Sequence, residues 1–207
     1  MTSSANLPAI LPVMALRAES DGVFEKAGIS VLYCGVGKVN AAISLTHELA
    51  RYEHTGQAMP AVLNFGTAGS RDHATGAFLA CHEFVQRDMD VRGLGFALGE
   101  TPFDQAPRTL TFQPMFSQLD AAICGSGDSF VTGECELACA VMDMEAYALA
   151  KVCWLKGAAF GCVKYVTDGA DHTAAVDWQS NVHKAATRFL HLYEGVRGTA
   201  DRVTLAL

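Results

Sequence analysis

Short apolar runs alternate with polar, glycine-bearing breaks along most of the chain, and between some of them the apolar positions switch to helical spacing. Runs at 7–16, 29–33, 61–65, 78–85, 119–124, 140–142 and 158–166 are short and bounded by turn residues, which predicts strands. Val39, Ala42, Ile43, Thr46 and Ala50 recur at helical spacing until Gly56. A second helix is expected over 146–156, where Gly157 stops it. Segment 21–27 reads as helix or loop, and a further helix is expected near 177–193. Residues 92–118 mix glycine, proline and aromatics, as loops and short strands over a core do, with a subunit contact as one use. Strands alternating with helices predict an α/β fold around a mixed sheet.

The stretch from Val141 to Asp168 concentrates acidic groups in apolar sequence. A strand leads into Asp143-Met144-Glu145, a helix follows, and a second strand runs into Thr167-Asp168. As a right-handed βαβ unit, this would bring two acid-bearing strand ends to one edge of the sheet, where open α/β sheets bind ligands. A carboxylate buried without a partner is costly, so each needs a partner or a task. For Glu145, a favourable place at a positive helix end is the competing explanation. Asp168 could equally cap the following turn, and Asp171 is its rival.

At 207 residues the chain is expected to form one domain, 1–207. Half the residues are hydrophobic and 18% charged, enough for a large core. A net charge of −7 argues against nucleic acid or an anionic membrane as partner. The run at 7–16 holds Pro8 and Pro12, follows no basic region and is too short to span a bilayer, so it reads as the first strand. Seven scattered cysteines, an odd number with no Cys-x-x-Cys pair and no leader before them, indicate reduced thiols in a cytoplasmic protein. No Cys/His cluster has zinc spacing.

Three strand ends finish in small residues: Gly35/Gly37, Gly66/Gly69 and Gly125/Gly127. The first is not a dinucleotide fingerprint, because Asn40 stands where the third glycine would fall. Nor is Gly37-Lys38 a P-loop, since its glycine spacing is absent and Val39 follows. Three glycine turns beside two carboxylates suggest the floor of a pocket.

In order along the chain, Gly35-Val36-Gly37-Lys38-Val39-Asn40-Ala41-Ala42, Asn64-Phe65-Gly66-Thr67-Ala68-Gly69, Arg87-Asp88-Met89-Asp90-Val91, Ser126-Gly127-Asp128-Ser129-Phe130-Val131, Asp143-Met144-Glu145-Ala146 and Thr167-Asp168-Gly169-Ala170-Asp171 resemble six motifs of 5′-methylthioadenosine/S-adenosylhomocysteine nucleosidases. These enzymes belong to the purine nucleoside phosphorylase/nucleosidase superfamily. The resemblance implies a single-domain, three-layer α/β/α fold with a central mixed β-sheet, and a homodimer that binds a small-molecule nucleoside without metal or cofactor. It places Glu145 on the ribose 2′-hydroxyl, Met144 against the sugar and Asp168 as the proton donor to N7 of the departing purine. Phe130 would stack on the base, the backbone near Val131 would read its edge, and Trp178 would cover it. Thr67 and Gly69 fall in the substrate-binding turn. Glu19 matches an acid that orients the attacking water, and Lys164 stands where the hydrolases carry an arginine. Taken without the resemblance, Phe130 and Trp178 would be core aromatics and Lys164 a buried, paired cation.

The chemistry suits these residue types. Breaking an N-ribosidic bond makes the sugar oxocarbenium-like and the purine anionic, the electronic problem of glycoside hydrolysis. An anionic Glu145 would stabilise the cation, and an Asp168 with a raised pKa would protonate the leaving base. Asn64 occupies the place where the phosphorylase branch carries an arginine, which points to water as the nucleophile. A phosphate-dependent phosphorylase, a futalosine-type hydrolase and a non-catalytic purine binder remain alternatives. The departures at Arg17, Ala18, Thr67 and Lys164 motivate the last of these. Val36, Leu94 and 92–118 are candidates for the 5′ pocket, whose substituent the sequence leaves open.

Overall fold

Apolar runs too short for helices become strands, and the longer periodic segments become helices that cover them. The structure, a computed structural model, describes residues 9–130 and 135–205, with side chains of the last helix described to residue 198. The strands are β1 (Ile10–Met14), β2 (Leu32–Tyr33), β3 (Ala61–Gly69), β4 (Phe78–Gln86), β5 (Thr109–Thr111), β6 (Asp120–Ser126), β7 (Val141–Asp143) and β8 (Phe160–Asp168). The helices are α1 (Arg17–Ser20), α2 (Val23–Lys26), α3 (Lys38–His54), α4 (Ala146–Lys156), α5 (Ala174–Asn181) and α6 (Ala186–Leu205). Within 92–118 lie only a 3-10 turn (Arg92–Leu94) and β5.

The sheet is mixed. β1 runs parallel to β2 and β3, and β3 parallel to β8, while β4 opposes β8 and runs parallel to β6, which is itself parallel to β7. β1 pairs with β3 as far as Asn64, and β7 pairs antiparallel with β3 at Gly69↔Met142. The pairings β3–β8–β4–β6–β7 therefore return to β3, closing five strands on themselves.

That closure corrects the expected βαβ unit. β7 and β8 run in opposite directions relative to β3, so 140–168 is not a parallel crossover. Its acids converge for another reason: Gly69 pairs with Met142 and also with Asp168. The end of β3 is the hub that joins the two acidic strands.

Helices cover both faces, giving the three-layer α/β/α arrangement. On one face Ala41, Leu45 and Leu49 of α3 pack with Leu149, Val152 and Cys153 of α4 over Phe84 and Phe160. Fully burying one such leucine contributes about 1.5–3 kcal/mol relative to leaving it exposed. On the other face α2 and α6 bury an aromatic layer in which Phe65 touches Phe24, Phe116 and Phe189.

Two further expectations change. Gly66-Thr67-Ala68-Gly69 is not a turn after a strand; β3 continues through it, with a register shift between Ala68 and Gly69. The helix expected over 177–193 is two helices, because α5 ends at Asn181 and α6 starts at Ala186. Asn181 donates from Nδ2 to the Thr167 carbonyl at 2.8 Å, tying the end of α5 to β8. α6 instead serves the aromatic face, and one straight rod cannot do both. Helix α6 runs on past Val196 to Leu205.

Candidate active site

Glu19 is the third residue of α1, and its carboxylate reaches back to the helix start, one half of a capping box. Its Oε2 accepts from the amides of Ala15 and Leu16 at 2.9 and 3.0 Å. Its Oε1 accepts from the Thr67 amide at 2.9 Å and the Thr67 hydroxyl at 3.1 Å. The acid is only 3% exposed, and these four donors match the acceptor capacity of a carboxylate. Thr67 Oγ1 in turn accepts from Trp178 Nε1 at 3.1 Å. One hydroxyl thus links α5 to the acid of α1.

Asp143 and Lys164 form a buried ion pair, with Nζ 2.7 Å from Oδ2. Asp143 also accepts from Ser126 Oγ at 2.5 Å and from the Ala146 amide at 2.9 Å. Burial works against its charge, yet Lys164 and these hydrogen bonds hold its pKa below the usual aspartate range. Burial alone would lower the Lys164 pKa, but Asp143 beside it holds it well above the ordinary lysine range. A Cβ added to Gly66 would lie 3.0 Å from Lys164 Nζ and 3.3 Å from Glu19 Oε1. Glycine at that strand position is what lets the cation and the acid flank the backbone.

Because Asp143 accepts the Ala146 amide at the start of α4, Glu145 is not needed as a cap and makes no side-chain capping bond. Instead Glu145 Oε1 accepts from the amide of Gly37 at 2.8 Å. Gly37 has φ +93°, a left-handed conformation that an L side chain rarely adopts and that glycine adopts freely. Burial, reinforced by the neighbouring Asp143 charge, pushes the Glu145 carboxyl up to about 8.

Asp168, at the end of β8, accepts from Thr167 Oγ1 at 2.8 Å and from the Ala170 amide at 3.0 Å. Burial raises its pKa, and those two hydrogen bonds only partly offset it. A Cβ on Gly69 would lie 2.6 Å from Asp168 Oδ1, so glycine is required where the acid packs on β3. Asp171, its rival in the sequence, instead accepts from the Thr173 amide and hydroxyl, both at 2.8 Å, away from the cavity wall.

Glu19, Glu145 and Asp168 all line one cavity of about 350 Å³. Thr67, Gly69, Met144, Phe130 and Trp178 line it as well, with Phe130 48% exposed at its side. Lys164 does not reach the wall but stands behind Asp143. Val131 lies outside the described residues.

Sequence reading missed two participants. Asp143 was seen only as part of an acidic turn, although it is the partner of Lys164. Arg87 received no role, yet it lines the cavity and donates to the carbonyls of Gly127 and Ser129. Its signal is its position directly after β4, much as Met144 and Glu145 follow β7.

The sequence matches the family model described as the Phosphorylase superfamily over residues 21–196. A 5′-methylthioadenosine/S-adenosylhomocysteine nucleosidase of Marinomonas sp. is 28% identical over 186 residues, covering 80% of this chain and 78% of that one. The nucleosidase of the same description from Geobacillus thermodenitrificans is 29% identical over 189 residues, covering 81% and 78%. Among solved structures, the Helicobacter pylori 5′-methylthioadenosine/S-adenosylhomocysteine nucleosidase superposes with a TM-score of 0.83 at 20% identity, covering 94% of this chain and 99% of that one. The futalosine hydrolase of the same organism gives 0.82 at 20% identity, covering 93% and 98%. At that identity these structures speak for the fold. The family match spans most of the chain, and the chain belongs to the Phosphorylase superfamily.

Proposed function

We propose that this protein is a purine nucleosidase, an N-ribosyl hydrolase acting on a 5′-modified adenine nucleoside such as 5′-methylthioadenosine or S-adenosylhomocysteine. The observation that carries the reading is the meeting of three acids from α1, the start of α4 and β8 on one cavity that also holds two aromatic side chains.

Each acid has an environment suited to a different task. Asp168, with its raised pKa, keeps a proton for the departing purine nitrogen, which cannot leave easily as an anion. Glu145 sits beside Met144, which would pack on the sugar; its anion would stabilise the oxocarbenium charge through the 2′-hydroxyl. With its carboxyl pushed up to about 8, that anion forms by release of the proton to solvent before the ligand closes the site. Glu19 accepts only from donors that hold it in place, and of these the Thr67 hydroxyl is the one free to rotate. Turning that proton aside would open an acceptor position for the attacking water. Phe130 and Trp178 would enclose the base.

Water fits this site better than phosphate. Arg87 is the one Lys or Arg among the described residues on the cavity wall, and its guanidinium is engaged with the Gly127 and Ser129 carbonyls. Lys164 is committed to Asp143, and the acid Glu19 would repel a phosphate dianion.

A homodimer belongs to the same proposal. Val36 at the cavity rim, Val39 and Ile43 on α3, and Leu94 are all exposed apolar side chains, suited to a subunit contact beside the 5′ end of the ligand. All seven cysteines are unpaired, which suits a reducing cytoplasm.

The test is incubation with 5′-methylthioadenosine in phosphate-free buffer, followed by chromatography of base and sugar. Adenine and free methylthioribose are expected. Base release that begins only when phosphate is added would make the protein a phosphorylase. Adenine binding by calorimetry, without turnover of any member of a nucleoside panel, would make it a purine binder.

A further inference from the structure

Five of the seven cysteines are buried, and two, Cys135 and Cys139, are only half-buried. Their sulfurs lie 3.7 Å apart, close enough that small side-chain rotations reach the ~2.05 Å of a disulfide. Cys139 is the fixed member. The next residue, Ala140, donates its amide to the Ile123 carbonyl of β6 and accepts from Ser70 Oγ, and the Cys139 sulfur packs on Gly125. A Cβ on Gly125 would meet that sulfur at 2.6 Å and the Arg87 Cβ at 3.6 Å. Arg87 holds the carbonyls of Gly127 and Ser129, and Ser129 and Phe130 form the cavity wall.

We propose that Cys135 and Cys139 form a reversible dithiol–disulfide switch that controls the base side of the cavity, with a small-molecule disulfide of the glutathione class as oxidant. The Cys135 thiolate attacks one sulfur of the small disulfide, forming a mixed disulfide and releasing one reduced thiol. Cys139 then gives its proton to solvent and attacks the Cys135 sulfur, releasing the second thiol. Two protein thiols are oxidised by two electrons, and one small disulfide is reduced to two thiols. Cys139 is the second to react because burial, together with the neighbouring Cys135, pushes its thiol well above the ordinary range. Closing the bond draws the sulfurs together, which shifts the Cys139 sulfur against Gly125 and disturbs the Arg87 packing that holds the Gly127 and Ser129 carbonyls at the cavity wall.

The full chain is equilibrated in glutathione buffers of rising oxidised fraction, trapped with N-ethylmaleimide and mapped by peptide mass. The expected product has lost two alkylatable thiols, with one cross-link between Cys135 and Cys139 and the five buried cysteines reduced. Cys135→Ser and Cys139→Ser should take up glutathione at most, without a cross-link. Adenine affinity, read by calorimetry, should fall at least about threefold on oxidation, return with dithiothreitol and stay constant in Cys135→Ser. Glutathione adducts alone, a bridge involving another cysteine, or a cross-link that leaves adenine affinity unchanged each overturn the switch. The mass readout needs no turnover, so it stands apart from the proposed hydrolysis.

Discussion

Lys164 Nζ lies 2.7 Å from Asp143 Oδ2, with both side chains almost wholly shielded from water. Asp143 lines the cavity with Lys164 behind it, and Gly66 brings Lys164 and Glu19 to the same stretch of β3. The pair acts on the ionisation of Glu145 in opposite senses: Lys164 opposes, and Asp143 reinforces, its raised pKa.

Removing one member of that pair leaves a buried charge without its partner. Lys164→Met should cost about 3–5 kcal/mol in urea unfolding at neutral pH, far more than the loss of one surface ion pair. Asp143→Asn should cost less, because an amide oxygen in the Oδ2 position still accepts from Lys164 and the Ala146 amide, while its NH2 can donate to Ser126 Oγ. The double variant should be clearly more stable than the sum of the two single losses predicts. Strict additivity would show that the two charges do not depend on each other.

Glu145 couples stability to pH. Its carboxyl titrates near 4.5 when unfolded and is pushed up to about 8 in the fold. Between those values the folded protein holds a proton that the unfolded chain has released. The stability from that proton is complete below pH 4.5 and is lost as pH rises through 8. Glu145→Gln cannot lose a proton, so its Tm should fall less between pH 6 and 9 than that of the parent protein. At pH 9 it should melt higher by roughly 5 °C, while turnover drops at least about a hundredfold. Parallel Tm curves across that range would remove the coupling.

Local signals were the legible part of this chain. Helix α4 matches the 146–156 expectation because an apolar run too long for a strand and its stop at Gly157 are contained in one short stretch. The same holds for α3 and its stop at Gly56. What could not be read was anything requiring two distant segments at once. Gly66 and Gly69 look like turn residues, since nothing local reveals that Lys164, Glu19 and Asp168 press against them. The reversed direction of β7 depends on ring closure at Gly69↔Met142, a long-range pairing with no sequence signature. Asp143 and Glu145 are two residues apart and look interchangeable as helix-start acids. Only the fold gives one the Ala146 amide and the other the amide of Gly37.

Asp168 offers a cleaner separation of binding from chemistry. Asp168→Asn keeps the size of the side chain and its acceptor oxygen but cannot deliver a proton to the leaving base. Its kcat on an adenine nucleoside should fall about 10²–10⁴-fold, with adenine affinity changed little. A riboside whose leaving group needs no protonation, such as 4-nitrophenyl riboside, should recover most of the loss. Gly69→Ala should damage both substrates, since its Cβ would sit 2.6 Å from Asp168 Oδ1 and displace the acid altogether. Equal losses on both substrates in Asp168→Asn would mean that Asp168 positions the ligand and does not protonate it.

Thr67 joins the two ends of the proposed reaction. Its hydroxyl donates to Glu19 Oε1 at 3.1 Å and accepts from Trp178 Nε1 at 3.1 Å. The four donors around Glu19 leave no room for a water unless this hydroxyl rotates, and only the hydroxyl can, because the other three are backbone amides. Thr67→Ser keeps the rotor and should hold kcat within about threefold of the parent. Thr67→Val keeps the shape but leaves Trp178 Nε1 without its acceptor and the incoming water without its second partner. Two such hydrogen bonds, at about 1 kcal/mol each, correspond to a kcat loss of roughly tenfold to thirtyfold. Because the Thr67 amide still holds Glu19, the fold should survive, with Tm within a few degrees of the parent. Full activity in Thr67→Val would show that Glu19 receives its water without help from this hydroxyl.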